Sequence, residues 1–238
     1  MNIKRLIPNL FTMLNLFCGC VALVMISRDD FYFAFYFVCL GIFFDFFDGF
    51  FARKFGVAGP LGVQLDSLAD MVTSGVVPGY LMFCLLQGFI IDTSFLGYFP
   101  YLGFVITLGA CYRLAKFNID TRQSDSFIGL PTPANCLFIM SIPFMLENPP
   151  FGIMMNDKIK IGLVMISFLS AYIMNAEIPL FSLKIKDFSF AKYKLQIFFL
   201  AVSVLMLIFL QILAIPLIIM IYVLLSVINN MANKKASE

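Results

Sequence analysis

Four aspartates stand in an otherwise apolar stretch, Asp45 to Asp70, which reads DFFDGFFARKFGVAGPLGVQLDSLAD. Asp45 and Asp48 are three residues apart and Asp66 and Asp70 four apart, so in helical conformation each pair shares one face. Two helices meeting through those faces gather four carboxylates, whose mutual repulsion in a low-dielectric site demands cations or protons. Oxygen-only donors select hard divalent ions, Mg²⁺ or Mn²⁺, over zinc or copper. The chain has no His, and its six Cys lack ligand spacing. Between the pairs, Gly49, Ala52 and Gly62 let a ligand approach the backbone, and Arg53 is a fixed cation suited to a phosphate.

The elements that must hold these groups are membrane helices. At 238 residues, 61% hydrophobic, 13% charged and mean hydropathy +0.96, the chain lies far from any soluble domain. Hydropathy and turn punctuation predict an all-α, polytopic bundle forming a single integral membrane domain over 1–238. Its eight spans fall near 8–27, 31–51, 63–91, 95–117, 131–147, 159–177, 194–212 and 213–231. The last boundary competes with one long kinked helix, because only Gln211 and Pro216 interrupt 195–229. The linker from Phe50 to Leu61 reads as an interfacial turn, and Pro8 as the first turn of a mature first span, with no cleavage site for a leader. The cysteines read as small hydrophobes without disulfides.

With eight spans, all of the 16 Lys and Arg except Arg28, Lys158 and Lys160 fall on the side of the termini. The positive-inside rule then turns both termini and the Asp45–Asp70 stretch toward the cytoplasm. The loop bearing Lys184, Lys186, Lys192 and Lys194 reads as a surface for anionic headgroups, and Asn175 and Glu177 as the end of the sixth span. No nucleic-acid partner is expected. In the first span Asn9, Thr12 and Asn15 share one face, either bonding to a neighbouring helix or holding part of a ligand.

Written as Asp45-x2-Asp48-Gly49-x2-Ala52-Arg53-x8-Gly62-x3-Asp66-x3-Asp70, the stretch resembles the signature of the CDP-alcohol phosphotransferase family at every fixed position. The resemblance implies a core of six helices, about 5–177, with two further helices at about 194–231. It implies a divalent-metal site of Asp45, Asp48, Asp66 and Asp70 in the inner membrane, a CDP site made by Asp48, Gly49, Ala52, Arg53, Gly62 and Asp66 with Thr12 and Asn15 close by, Asp70 as general base, and a homodimer. The segments P-N-L-F-T from Pro8, R-L-A-K-F-N from Arg113 and G-L-P-T-P-A from Gly129 are similar to the branch that uses L-serine as acceptor.

That likeness implies transfer of a phosphatidyl group from CDP-diacylglycerol to the serine hydroxyl, with release of CMP, among membrane lipids. A zwitterionic acceptor needs a cation for its carboxylate, and the planar fork of Arg113 suits it. Lys116 would meet a lipid phosphate, and Asn118 would accept from the ammonium. Glycerol 3-phosphate or inositol phosphate would replace serine in other branches, and would call for a more basic site. A transporter would spread its charges along a path through the bilayer instead of clustering them at one end. A catalytically inactive relative would be expected to lack part of the carboxylate set.

Overall fold

The computed structural model describes residues 3–87, 95–120, 128–147, 157–181 and 194–237. Ten α-helices are seen there: α1 (Ile3–Ile26), α2 (Phe31–Lys54), α3 (Pro60–Asp70), α4 (Val77–Gln87), α5 (Val105–Ile119), α6 (Thr132–Met140), α7 (Ile142–Glu147), α8 (Asp157–Asn175), α9 (Lys194–Leu210) and α10 (Ala214–Ser237). A π-helical turn, Met71–Val76, joins α3 to α4, and a 3₁₀ segment, Phe95–Phe104, leads into α5. The only bridge among the described residues pairs Ile128 with Pro179. The basic loop with Lys184, Lys186 and Lys192 lies outside the described residues, as do the ends of the third-span expectation beyond Gln87.

Among the described residues six stretches are long and apolar enough to cross a bilayer, which makes this a multi-pass membrane protein. The expected eight differ from these in two places. The span placed at 131–147 is α6 and α7, nine and six residues long and parted at Ser141. Pro143 is the reason, because it has no N–H to offer the Ile139 carbonyl. The sixth stretch, Gln196–Met231, is 36 residues long but doubles back. The Phe199 and Tyr222 rings stand 5.6 Å apart, whereas a straight helix would part them by about 35 Å at its rise per residue. The reversal is made by Gln211 at φ 51 and a 3₁₀ turn, Gln211–Leu213. Two antiparallel arms thus replace the alternative of one kinked helix.

Turn chemistry explains how the two carboxylate helices are joined. α2 runs on to Lys54, so Arg53 and Lys54 belong to its last turn and the linker shrinks from the expected 50–61 to five residues, Phe55 to Gly59. Gly56, at φ 63, closes α2 with two bonds: its own N–H donates to the Arg53 carbonyl and that of Val57 to the Ala52 carbonyl. This Schellman closure needs the left-handed residue that glycine supplies without strain. Pro60 then opens α3 at a position where no N–H is required. At the other end of α2, Asp30 caps the helix by accepting from the Phe33 N–H. Pro8 lies one and a half turns inside α1, not in its first turn as expected.

The core lies where α1, α2, α4 and α6 meet, around Ala22, Val38, Leu81 and Ile139, all fully buried. Small residues let the backbones approach, which is the usual means of helix association in lipid. A Cβ on Gly19 would stand 2.5 Å from Thr73 Oγ1, and one on Gly41 would stand 2.9 Å from Thr73 Cγ2. α1, α2 and the π turn are therefore locked together around Thr73, whose hydroxyl donates to the Asn15 carbonyl. All six cysteines are free, as expected.

Candidate active site

The crossing at Thr73 sits directly after Asp70 and fixes how α3 presents its carboxylates. Pro78 is the local cause of the π turn, since it withdraws the N–H that the Ser74 carbonyl would use in an α-helix or the Thr73 carbonyl in a π-helix. The Thr73 carbonyl accepts from Cys136 Sγ instead, and the Gly75 carbonyl in the same turn accepts from Thr107 Oγ1 at 2.9 Å. The extra residue per turn in the π segment shifts the facing of α3 relative to α4, so that Asp66 and Asp70 face α2 and α1 while α4 keeps its apolar face in the core.

Asp45, Asp48 and Asp66 each bring a carboxylate oxygen within 4.8 Å of the others. Asp70 stands behind this trio with its carboxyl against that of Asp45. The α1 face of Thr12 and Asn15 serves the carboxylates directly: Thr12 Oγ1 donates to Asp48 Oδ2 at 2.6 Å, and Asn15 Nδ2 to Asp70 Oδ1 at 3.1 Å. Both α1 residues are buried, so these bonds are made away from bulk water and carry correspondingly more weight. The face thus bonds to the neighbouring helices, one of the two readings left open for it.

The donor set fits a hard divalent cation. Asp66 Oδ1 and Asn15 Oδ1 are buried without a hydrogen-bond partner, and such oxygens are costly unless a cation or proton meets them. Among the described residues the converging groups are carboxylates with no nitrogen or sulfur donor, as a hard cation prefers.

Above the trio a cleft of about 310 Å³ opens between α1, α2 and α3. Thr12, Asp48, Gly49 and Ala52 line one side, and Gly62 and Asp66 the other. Arg53 is exposed at the rim. Its guanidinium folds over Gly49, where a Cβ would stand 3.2 Å from Nη1. A Cβ on Gly62 would meet nothing within 4 Å, so that backbone borders open space. Every residue expected at the CDP site therefore lines this cleft except Asn15, which lies beneath it on Asp70. Pro8 and Asn9 line it as well. Asn9 shares its helix face with Thr12, a signal already present in the three-residue spacing.

The residues expected to take the acceptor are placed otherwise. Arg113 is buried and donates through Nη2 to the Gly129 carbonyl at 3.4 Å. Gly129, at φ 73, packs so closely on the end of α8 that a Cβ would run into the Met174 carbonyl. This explains glycine in the G-L-P-T-P-A segment. Lys116 pairs with Glu177 at 3.6 Å, and Asn118 exchanges hydrogen bonds with Ser67, the neighbour of Asp66. Asn175 is the last residue of α8 and donates to the Gly109 carbonyl at 2.9 Å, tying α8 to α5. Sequence reasoning missed Ser67, which carries no signal of its own, and Thr73, whose signal was the small-residue run before Pro78.

The family model for CDP-alcohol phosphatidyltransferase matches residues 5–232. The chain is 35% identical over 165 residues to the CDP-diacylglycerol–serine O-phosphatidyltransferase of Bacillus subtilis, covering 65% of this chain and 88% of that one. It is 28% identical over 213 residues to the enzyme of the same name from Helicobacter pylori, covering 87% of this chain and 82% of that one. A relative of that name from Methanocaldococcus jannaschii is 32% identical over 161 residues, or 68% of this chain and 71% of its own. With the carboxylate trio, the cleft and a match that runs from the first helix to the last, the chain belongs to the CDP-alcohol phosphatidyltransferase family.

Proposed function

We propose that the protein transfers the phosphatidyl group of CDP-diacylglycerol to the hydroxyl of L-serine, giving phosphatidylserine and CMP. The observation that carries this reading is the carboxylate trio at the floor of a cleft whose rim holds Arg53. The serine acceptor is supported by the relatives, each named as a serine-using transferase.

In the reaction the serine oxygen forms a bond to the phosphorus bearing diacylglycerol while the bond from that phosphorus to CMP breaks. Asp70 accepts the hydroxyl proton, held for this by Asn15. Asp45, Asp48 and Asp66, with Asp70 adjoining, hold the divalent ion, Mg²⁺ or Mn²⁺, and Thr12 orients Asp48. The bound cation supplies neutralisation of the diphosphate and of the departing phosphate. Arg53 binds a phosphate at the rim, and Gly49, Ala52 and Gly62 leave room for the CDP moiety.

Arg113 takes the serine carboxylate: its bond to Gly129 uses one of five N–H donors, and the planar fork suits a carboxylate. Lys116 meets a lipid phosphate and Asn118 the serine ammonium. The residues lining the cleft all fall between Pro8 and Asp66, which supports a catalytic core at 5–177 with the C-terminal hairpin as an addition. The cytoplasmic face of the inner membrane and a homodimer complete the reading, supported by the charge count and by family resemblance respectively.

CMP release by the purified chain tests it, with CDP-diacylglycerol, Mg²⁺ or Mn²⁺, and serine, glycerol 3-phosphate, inositol phosphate or no acceptor. Release that requires both serine and metal, and is lost in Asp70→Asn, is expected. Release with another acceptor instead would keep the family and replace the product, and none with any acceptor would overturn the assignment. Arg113→Ala should raise the KM for serine much more than that for CDP-diacylglycerol, and equal effects would remove Arg113 from the serine site.

A further inference from the structure

A second cavity lies apart from the cleft and shares no residue with it. It has a volume of about 260 Å³ and is enclosed by α6, α8 and α10, with walls that include Phe138, Ile166, Ile173 and Val223. Its rim residues Leu169, Met220 and Leu224 are 55%, 43% and 60% exposed. On helices that cross a membrane such a surface meets acyl chains and not water, so the cavity opens sideways into the bilayer.

One amide breaks this apolar lining. Asn135 is only 1% exposed; its Oδ1 accepts from the Ser170 hydroxyl, while Nδ2 is buried with no hydrogen-bond partner among the described residues. A buried amide hydrogen without an acceptor costs about 1–3 kcal/mol, so the site is completed by a ligand that brings an acceptor. Asn135 is three residues from the start of α6 and Ser170 five from the end of α8, so both lie within about 5–8 Å of the same helix ends. That depth is the boundary of the hydrocarbon core, where a glycerolipid carries its ester carbonyls.

We propose that this cavity binds one acyl chain of a bilayer glycerophospholipid, distinct from the nucleotide-linked donor, with the ester carbonyl accepting from Asn135 Nδ2. A chain fills the aliphatic slot, the carbonyl satisfies the amide, and the headgroup stays at the interface beside Leu130. The inference holds whether or not the transferase assignment does.

The test reconstitutes the full chain in phosphatidylethanolamine liposomes containing phosphatidylglycerol with a photoreactive diazirine on one ester-linked chain, and maps the labelled peptides. Label should concentrate on α8 and α10 around Leu169, Met220 and Leu224. Asn135→Leu removes the donor and should reduce this label about fivefold, the scale of one neutral hydrogen bond, and Val223→Trp, which fills the slot, should reduce it at least as far. The ether-linked analogue, which lacks the carbonyl, should label as weakly as Asn135→Leu does in the ester series. Excess CDP-diacylglycerol should leave the label unchanged. Displacement by CDP-diacylglycerol would assign the slot to the donor lipid and overturn the proposal. So would label no denser than on the outer face of α9, equal labelling by the ether analogue, or label that survives both substitutions.

Discussion

Thr12 illustrates how a modest side chain becomes consequential through what it touches. Its hydroxyl lies 2.6 Å from Asp48 and is buried, so Thr12→Val keeps the shape and removes a donor to a charged group. Such a bond is worth about 1.5–3 kcal/mol, which predicts a fall of roughly 10- to 100-fold in kcat/KM together with a higher metal requirement. Thr12→Ser should recover most of the activity, and steady-state kinetics at varied Mg²⁺ would read both. An unchanged Thr12→Val enzyme would mean that Asp48 needs no help in orientation. At this scale the sequence was informative about charge and spacing, because carboxylates in an apolar span have few uses. It was less informative about partners: Asn15 was expected beside the nucleotide and instead holds Asp70.

Among the elements, α3 and the π turn decide whether the carboxylates converge. Two glycines there behave oppositely. Gly19→Ala places a methyl 2.5 Å from Thr73 Oγ1 in a crossing that has no space to give. Overpacking of this kind costs about 1–3 kcal/mol, so the thermal midpoint and the activity should fall together. Gly62→Ala places the same methyl in open space. Its thermal midpoint should stay at the wild-type value while the KM for CDP-diacylglycerol rises, because the added group projects into the cleft. Melting curves and kinetics on the two variants separate packing from ligand room, and a destabilised Gly62→Ala would contradict the open cleft. Helix ends marked by Gly56 and Pro60 were legible as a linker. The π turn was not, because its cause combines Pro78 with side chains from α5 and α6 that are distant in sequence.

For the molecule as a whole, orientation is the open quantity with a direct readout. The turn after α1 and the turn after α2 must lie on opposite sides of the membrane, since α2 is a spanning stretch between them. Ser27→Cys should react with a membrane-impermeant maleimide only from outside intact cells, and Ala58→Cys only in inverted vesicles, with the wild-type chain as background. The reverse pattern would put the cleft on the outer face, away from a cytosolic nucleotide. The C-terminal hairpin is bound to the rest through the segment after α8: Tyr222 donates to the Phe181 carbonyl at 2.9 Å and Asn230 to the Pro179 carbonyl at 2.6 Å. It thereby walls the second cavity without reaching the cleft.

By itself the sequence determined the membrane setting, the helical class, the clustering of the carboxylates and the small residues between them that border the cleft. Each of these follows from local composition or from spacing along one helix. The tertiary structure decided what depends on which helices meet: the break of the fifth span at Ser141, the reversal at Gln211, the pairing of Thr12 with Asp48 and of Asn15 with Asp70, and the commitments of Arg113, Lys116 and Asn118. Spacing of three and four residues states which side chains share a face. Only packing around Thr73 determines which face looks at which.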